Sequence, residues 1–300
     1  MIELPKLNNG DTIGVLAPAR KVVEEELQGF KKWCNQHQWK VCFASHLFDS
    51  DNQFAGSDGQ RISDFNELLS NPEVKAIFCA RGGYGSARII DHVNWDLLKK
   101  YPKWICGYSD ITAIHQHLLN QYKCPSLHCL MPLSFVQYND PLFHESASLT
   151  AHFLKTSELT YSLPQGQDVH DIESAQITGG NLSVLYSLMG SKSLSHNTGR
   201  IVFIEDLDEY LYHIDRMFNS LQRSGFFEGV KLIISGGLTD MHDNTVPFGK
   251  TAEEICAYYA NKLNIPYLSN FPVGHIAMNF PIPIGWFASI KNNKITFAIR

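Results

Sequence analysis

The chain reads as an α/β protein built on a mostly parallel sheet, followed by a second, smaller α/β domain. Two observations predict this. The first 135 residues alternate short apolar runs with segments of helical periodicity, the rhythm of strand–helix–strand crossovers. The rhythm then breaks over residues 136–174, which are rich in polar residues and carry Pro141, Pro164 and Gly166, and it resumes at Ile177. The expected organisation is an N-terminal domain over 1–135, a connector over 136–174 and a C-terminal domain over 175–300.

Each element has its own signal. Residues 12–17 form an apolar run that stops at Pro18, as a buried strand would. Residues 24–35 place Leu27, Phe30 and Trp33 on one helical face, and 39–44 read as a second strand. Residues 58–69 carry the stripe Ile62, Phe65, Leu68 and Leu69, and 74–80 form another buried strand. A helix begins at Ser86, 104–108 is a strand, and 111–122 is a helix. The connector offers one short helix near 145–154. Beyond it, 181–189, 210–224 and 252–263 read as helices, and 200–204 and 230–235 as strands. Residues 286–289 and 294–298 form a hairpin across Asn292 and Asn293.

Composition narrows the function. The net charge of −5, with no long basic run, argues against nucleic-acid binding as the main task, because phosphate neutralisation needs clustered Lys and Arg. No apolar stretch is long enough to span a bilayer, and the first residues lack the basic start and apolar core of a secretory signal. The 7 cysteines are scattered with no CxxC pair, so they read as reduced thiols in a cytoplasmic protein.

In parallel sheets ligands bind beyond the carboxyl ends of strands, and three such places stand out. In Trp104-Ile-Cys-Gly-Tyr-Ser109-Asp-Ile-Thr a strand runs through Gly107 and Ser109 into a helix, the layout of a nucleophile elbow. Helix capping by Ser109 is the more ordinary account of the same residues, and the second glycine of a usual elbow is replaced by Ile111. The loop Arg81-Gly-Gly-Tyr-Gly-Ser-Ala-Arg88 suits an anion: an oxyanion donor, with Arg81 or Arg88 for a substrate carboxylate, or else a tight turn with two solvated arginines. The cluster Glu205-Asp-Leu-Asp-Glu209 follows a buried strand. Glu205, the first of its acids, is the best placed to be buried and so to need a partner such as histidine. Among 13 histidines, His115, His117, His128, His213, His242 and His275 compete for the role of base, and spacing alone does not choose between them. No metal constellation stands out; Asp240-x-His242-Asp243 reads as an exposed polar turn.

Taken together, Gly10-Asp-Thr-Ile-Gly-Val-Leu-Ala-Pro, Arg81-Gly-Gly-Tyr-Gly, Gly107-Tyr-Ser-Asp-Ile-Thr, Gly179-Gly-Asn-Leu-Ser, Glu205-Asp and Gly274-His resemble the LD-carboxypeptidase family, the S66 serine peptidases, which includes murein tetrapeptide carboxypeptidases and microcin C self-immunity peptidases. The resemblance implies a flavodoxin-like N-terminal domain with helices on both faces and a smaller β-rich C-terminal domain. It implies a catalytic triad of Ser109, Glu205 and His275, an oxyanion hole from the N–H groups of Asp110 and Gly83, and a homodimer with no cofactor and no metal. It implies removal of the C-terminal D-alanine from a murein-derived tetrapeptide during cell-wall recycling. Arg81 is the residue expected to hold the substrate carboxylate. Two other readings stand beside this one: cleavage of a microcin-like peptide–nucleotide conjugate on the same fold, and a non-catalytic anion- or peptide-binding module. A nucleotide-dependent oxidoreductase lacks its fingerprint loop.

Overall fold

The computed structural model describes residues 2–137, 140–167 and 169–299. Its strands are β1 (Thr12–Leu16), β2 (Lys40–Phe43), β3 (Val74–Cys79), β4 (Trp104–Gly107), β5 (Ser126–His128), β6 (Leu159–Ser162), β7 (Ile172–Asn181), β8 (Ile201–Leu207), β9 (Leu232–Thr239), β10 (Tyr267–Leu268), β11 (Ile282–Ile284), β12 (Phe287–Lys291) and β13 (Lys294–Ala298). They form two sheets, in the orders β2-β1-β3-β4-β5-β11 and β10-β9-β8-β7-β12-β13-β6.

The first sheet is parallel from β2 to β5, in the flavodoxin-like order 2-1-3-4-5. Helices α1 (Gln28–Gln36), α2 (Asp58–Ser70), α3 (Ser86–Ile89), α4 (Leu97–Lys100) and α5 (Thr112–His117) alternate with its strands. The sequence signals hold up well here. Ser57 caps α2 through the nitrogen of Gln60, whose side chain returns to Ser57, and Phe65, Leu68 and Leu69 of that helix are buried. The segment expected as one helix over 111–122 is compound: a 3₁₀ turn at Ser109–Ile111, then α5, then a π-helical stretch over Leu118–Tyr122.

The stretch read as a connector is more structured than its composition suggests, although residues 138, 139 and 168 lie outside the described set. Helix α6 (Pro141–Thr156) has 16 residues, capped by Asp140 with Pro141 at its first position. Strand β6 then joins the second sheet through β13. Polar residues misled because α6 buries only one face, through Phe143, Ala147, Ala151 and Leu154.

The second sheet is parallel from β7 to β10 and antiparallel beyond β7. Helices α7 (Leu182–Ser187), α8 (Leu211–Arg223) and α9 (Ala252–Lys262) cover its parallel half. The hairpin of β12 and β13 turns through Asn292 and Asn293, both with positive φ, as a two-residue type I′ turn requires.

Two connections bring the sheets together. Strand β11 leaves the C-terminal half of the chain and pairs antiparallel with β5 of the first sheet. Near β7, the Asn181 N–H donates to Thr112 Oγ1 at 3.0 Å, and the Gln116 amide donates to the carbonyl of Gly179 at 2.9 Å. The carboxyl ends of β4, β7 and β8 therefore face a common space. Among the described residues no helix is long and apolar enough to cross a membrane. All seven cysteines are free thiols.

Candidate active site

The nucleophile candidate sits on a strained turn. Strand β4 stops at Gly107, and Ser109 takes φ +63°, a left-handed conformation that costs an ordinary residue roughly 1 kcal/mol or more. A helix N-cap has extended backbone and accepts a hydrogen bond from the first turn. Ser109 does neither: the residue preceding the 3₁₀ turn is Tyr108, and no side chain caps it. The capping account of Ser109 is therefore replaced by that of a side chain lifted off a sharp strand-to-helix turn. His115 braces the turn from below. Its Nε2–H donates to the carbonyl of Gly107 at 2.8 Å and its Nδ1 accepts from Ser126 Oγ at 2.8 Å. Burial pushes its pKa down to about 3, so this ring is a neutral brace and no base.

The glycine loop after β3 lies against that turn. A Cβ added to Gly82 would stand 3.1 Å from Ser109 Cβ and 3.4 Å from the nitrogen of Asp110. Gly83 has φ +108° and would place a Cβ 2.5 Å from Arg20 Cδ, so only glycine lets the Arg20 stem lie over this backbone. The Asp110 carboxylate, buried, accepts from the Ser86 N–H at 2.9 Å and ties the loop to the elbow. Arg61, also buried, donates to the carbonyls of Pro18 and Gly85 and pairs with Asp58. Arg88, offered by the sequence for a substrate carboxylate, is instead engaged by Asp58 in a two-pronged pair at 2.7–3.1 Å. Arg81 is partly buried and, among the described residues, donates a long 3.4 Å bond to the carbonyl of Lys21.

Across the cleft, Glu205 projects from β8 with no exposed surface. Its Oε2 accepts from His275 Nδ1 at 2.6 Å, so in the neutral ring Nδ1 carries the proton and Nε2 does not. Gly274 makes this approach possible: at φ +105°, an added Cβ would stand 2.5 Å from Glu205 Cβ. Burial alone would lower the His275 pKa, but the Glu205 charge and hydrogen bond outweigh it and the net shift is upward. Burial would likewise raise Glu205, yet His275 holds it below the ordinary carboxylate range. The Asn181 amide adds to that bias, although Glu205 Oε1 has no partner in hydrogen-bond geometry among the described residues.

The two halves meet at Tyr108, whose ring centroid lies 4.8 Å from that of His275. No hydrogen bond joins Ser109 to the His275 ring among the described residues. Two cavities share Ile276, the residue after His275, as a wall. One, of about 590 Å³, is lined by Leu211, Thr239, Glu253 and Phe271; the other, of about 270 Å³, by Tyr108, Met131, Leu133 and Ser134.

Residues 13–129 match the LD-carboxypeptidase N-terminal domain, and residues 174–290 match the LD-carboxypeptidase C-terminal domain. The chain belongs to the LD-carboxypeptidase family. It is accordingly a peptidase. It is 32% identical, over 98% of its length and 93% of the other's, to a probable murein peptide carboxypeptidase of Bacillus subtilis (strain 168). Its fold superposes on MccF in complex with glutamyl sulfamoyl guanosine with a TM-score of 0.89 at 21% identity, covering 100% and 99% of the two chains. It superposes on muramoyltetrapeptide carboxypeptidase from Oxalobacter formigenes with a TM-score of 0.85 at 24% identity, covering 95% and 97%.

Within this family member, the structure brings Glu205 and His275 together and sets Ser109 and Asp110 on one turn, with Gly82, the residue before Gly83, against it. The other histidine candidates are engaged elsewhere. His117 bonds Ser193, His213 bonds Glu209 and His242 bonds Asp208. His128, read as a loop residue, ends strand β5. Sequence reasoning missed Arg20, Asn181, Asp206 and Asn279. Asn181 caps α7 through the Val184 N–H and donates to Asp206, whose pKa burial and the Glu205 charge raise to about 7. The signal for Asn181 was present in Gly179-Gly-Asn-Leu-Ser, where an Asn directly before a helix is a capping residue.

Proposed function

We propose that this chain is a serine carboxypeptidase that removes the C-terminal D-alanine from a murein tetrapeptide through an acyl-enzyme. The observations that support this reading are the buried Glu205–His275 pair, whose ring packs on Tyr108, and the positive φ of Ser109, the residue next to that tyrosine. Because Glu205 accepts a hydrogen bond from the Nδ1–H, Nε2 is the basic nitrogen, and it serves Ser109. Ser109 Oγ attacks the carbonyl of the penultimate residue as His275 Nε2 takes the hydroxyl proton. The N–H groups of Asp110 and Gly83 bind the developing oxyanion, a contribution of roughly 2.7–4 kcal/mol per donor in comparable sites. The C–N bond then breaks, and His275 returns its proton to the amine of the departing D-alanine. Water, deprotonated by His275, cleaves the ester and restores the Ser109 hydroxyl. Glu205 stabilises the imidazolium at both stages, and no step needs a metal or organic cofactor.

The substrate assignment draws on the names of the Bacillus subtilis relative and the Oxalobacter formigenes neighbour. Arg81 supplies the positive charge for the terminal carboxylate, being the loop arginine not committed to Asp58. Free thiols, six of them buried, fit a reducing cytoplasm. A homodimer is the expected assembly, which sedimentation equilibrium checks. The reaction is tested by mass spectrometry of a murein tetrapeptide after incubation with the protein. Loss of one alanine residue from the carboxyl end supports the proposal. An intact tetrapeptide alongside cleavage of an aminoacyl-sulfamoyl nucleotide would move the substrate to the conjugate class while keeping the triad.

A further inference from the structure

We infer that His128 and Asn279 form a positioning pair that holds the His275 loop against the sheet carrying the nucleophile. The inference rests on the proposed triad and concerns how its base is kept in place. His275 lies in a loop that has left β10 of the second sheet and is about to enter β11 of the first. Five residues after Gly274, the Asn279 side chain turns back. Its Oδ1 accepts from the Gly274 N–H at 2.8 Å and from His128 Nε2 at 3.1 Å. Gly274 is the residue pressed against the Glu205 side chain. His128 is paired with Gly107 in the parallel ladder, next to the nucleophile turn, and with Ile282 in the antiparallel one. One oxygen atom thus links the backbone before the base to the strand beside the nucleophile.

The pair is fully buried, with neither residue exposed. Phe203 and Tyr108 pack on the His128 ring at 5.1 and 5.8 Å. In such surroundings each polar bond is strong and directional, and an apolar pair would fill the space at less desolvation cost. Polarity here selects a geometry. The ionisable groups facing His128 are Glu205 from β8, His275 from the loop, His115 from α5 and Tyr108 beside the nucleophile turn. Burial pushes the His128 pKa down to about 4, so at neutral pH the ring is uncharged and does not compete with His275 for Glu205. Its single ring proton is committed to Asn279 because that oxygen already accepts from an amide.

Two measurements on the full-length protein test the pair. The first is the low-field proton resonance of His275 Nδ1–H against Glu205, assigned by its loss in His275→Gln; it requires no catalysis. The second is the rate at which a fluorophosphonate labels Ser109. We expect His128→Ala and Asn279→Ala each to broaden or abolish the resonance. They should slow labelling by about tenfold or more, since small misplacement of a catalytic group is costly. His128→Gln, whose amide can still donate to Asn279, should keep the resonance and label within about threefold of the parent. The double alanine variant should be no slower than the slower single one. In the alanine variants the labelling midpoint should also fall toward the ordinary imidazole value, because a loosened Glu205 no longer raises His275 as far. An unchanged resonance in both alanine variants overturns the inference, as does His128→Gln behaving like His128→Ala. Asn279→Ala decides the question if the His128 variants fail to fold. A parent protein that shows the resonance but takes no label would instead count against the triad.

Discussion

Three carboxylate–histidine pairs occur within a few residues of one another on the second domain, at nearly the same distance. Glu205 meets His275 at 2.6 Å, Asp208 meets His242 at 2.6 Å, and Glu209 meets His213 at 2.5 Å. Their surroundings differ. Glu205 is wholly buried and its histidine 14% exposed, whereas the Asp208 and His242 side chains are 73% and 50% exposed. Water screens the Asp208–His242 pair, and the Glu209–His213 pair, with side chains 20% and 25% exposed, lies between the two extremes. Inside the cleft Glu205 is shielded from water, and it orients the His275 imidazole and raises its basicity. Burial, more than contact distance, separates the Glu205–His275 pair from the exposed Asp208–His242 pair that resembles it.

The comparison can be broken by mutation. Glu205→Gln should lower kcat by about 10³–10⁴-fold in the D-alanine release assay while leaving a residual rate from the oxyanion hole. Comparable losses in Asp208→Asn or Glu209→Gln would erase the distinction; each of these should stay within about twofold of the parent. A smaller effect lies in the pH profile. His275 must be neutral to act as base, and its pKa is raised. Activity should therefore climb as pH rises through a midpoint above the ordinary imidazole value of about 6.5. In Glu205→Gln the residual activity should show that midpoint displaced downward, because the larger raising charge is gone and only that of Asp206 is left. A midpoint that stays in place would assign the titration to another group. The smallest expected effect is on stability. Asp208→Asn, which tolerates the φ of +58° at this position, should change the unfolding free energy by no more than about 0.5 kcal/mol in denaturant titration, as exposed pairs do.

The same contrast explains how far the sequence could be read. Strands such as Val74–Cys79 and Ile201–Leu207 announce themselves as apolar runs, and the parallel rhythm follows from their alternation with helices. Glu205 was legible because a carboxylate directly after a buried strand must be accounted for. Ser109 was half legible: a cap and an elbow share the same letters and differ in the sign of φ, which only the folded chain shows. The choice of His275 among the histidines came from family resemblance, since its pairing depends on a residue 70 positions away. Asn279 and Arg20 left no trace because their work is tertiary. One turns back across a loop to reach another domain's strand, and the other lies over a glycine 63 positions distant (83 − 20). Helix α6 was underestimated for a related reason: half of its surface faces water, so its polar residues looked like a linker.

The claim that Ser109 carries the chemistry is tested most directly by D-alanine release from a murein tetrapeptide in the Ser109→Ala variant, with circular dichroism confirming an intact fold. The account predicts no release above the uncatalysed rate. Release at the parent rate would contradict it.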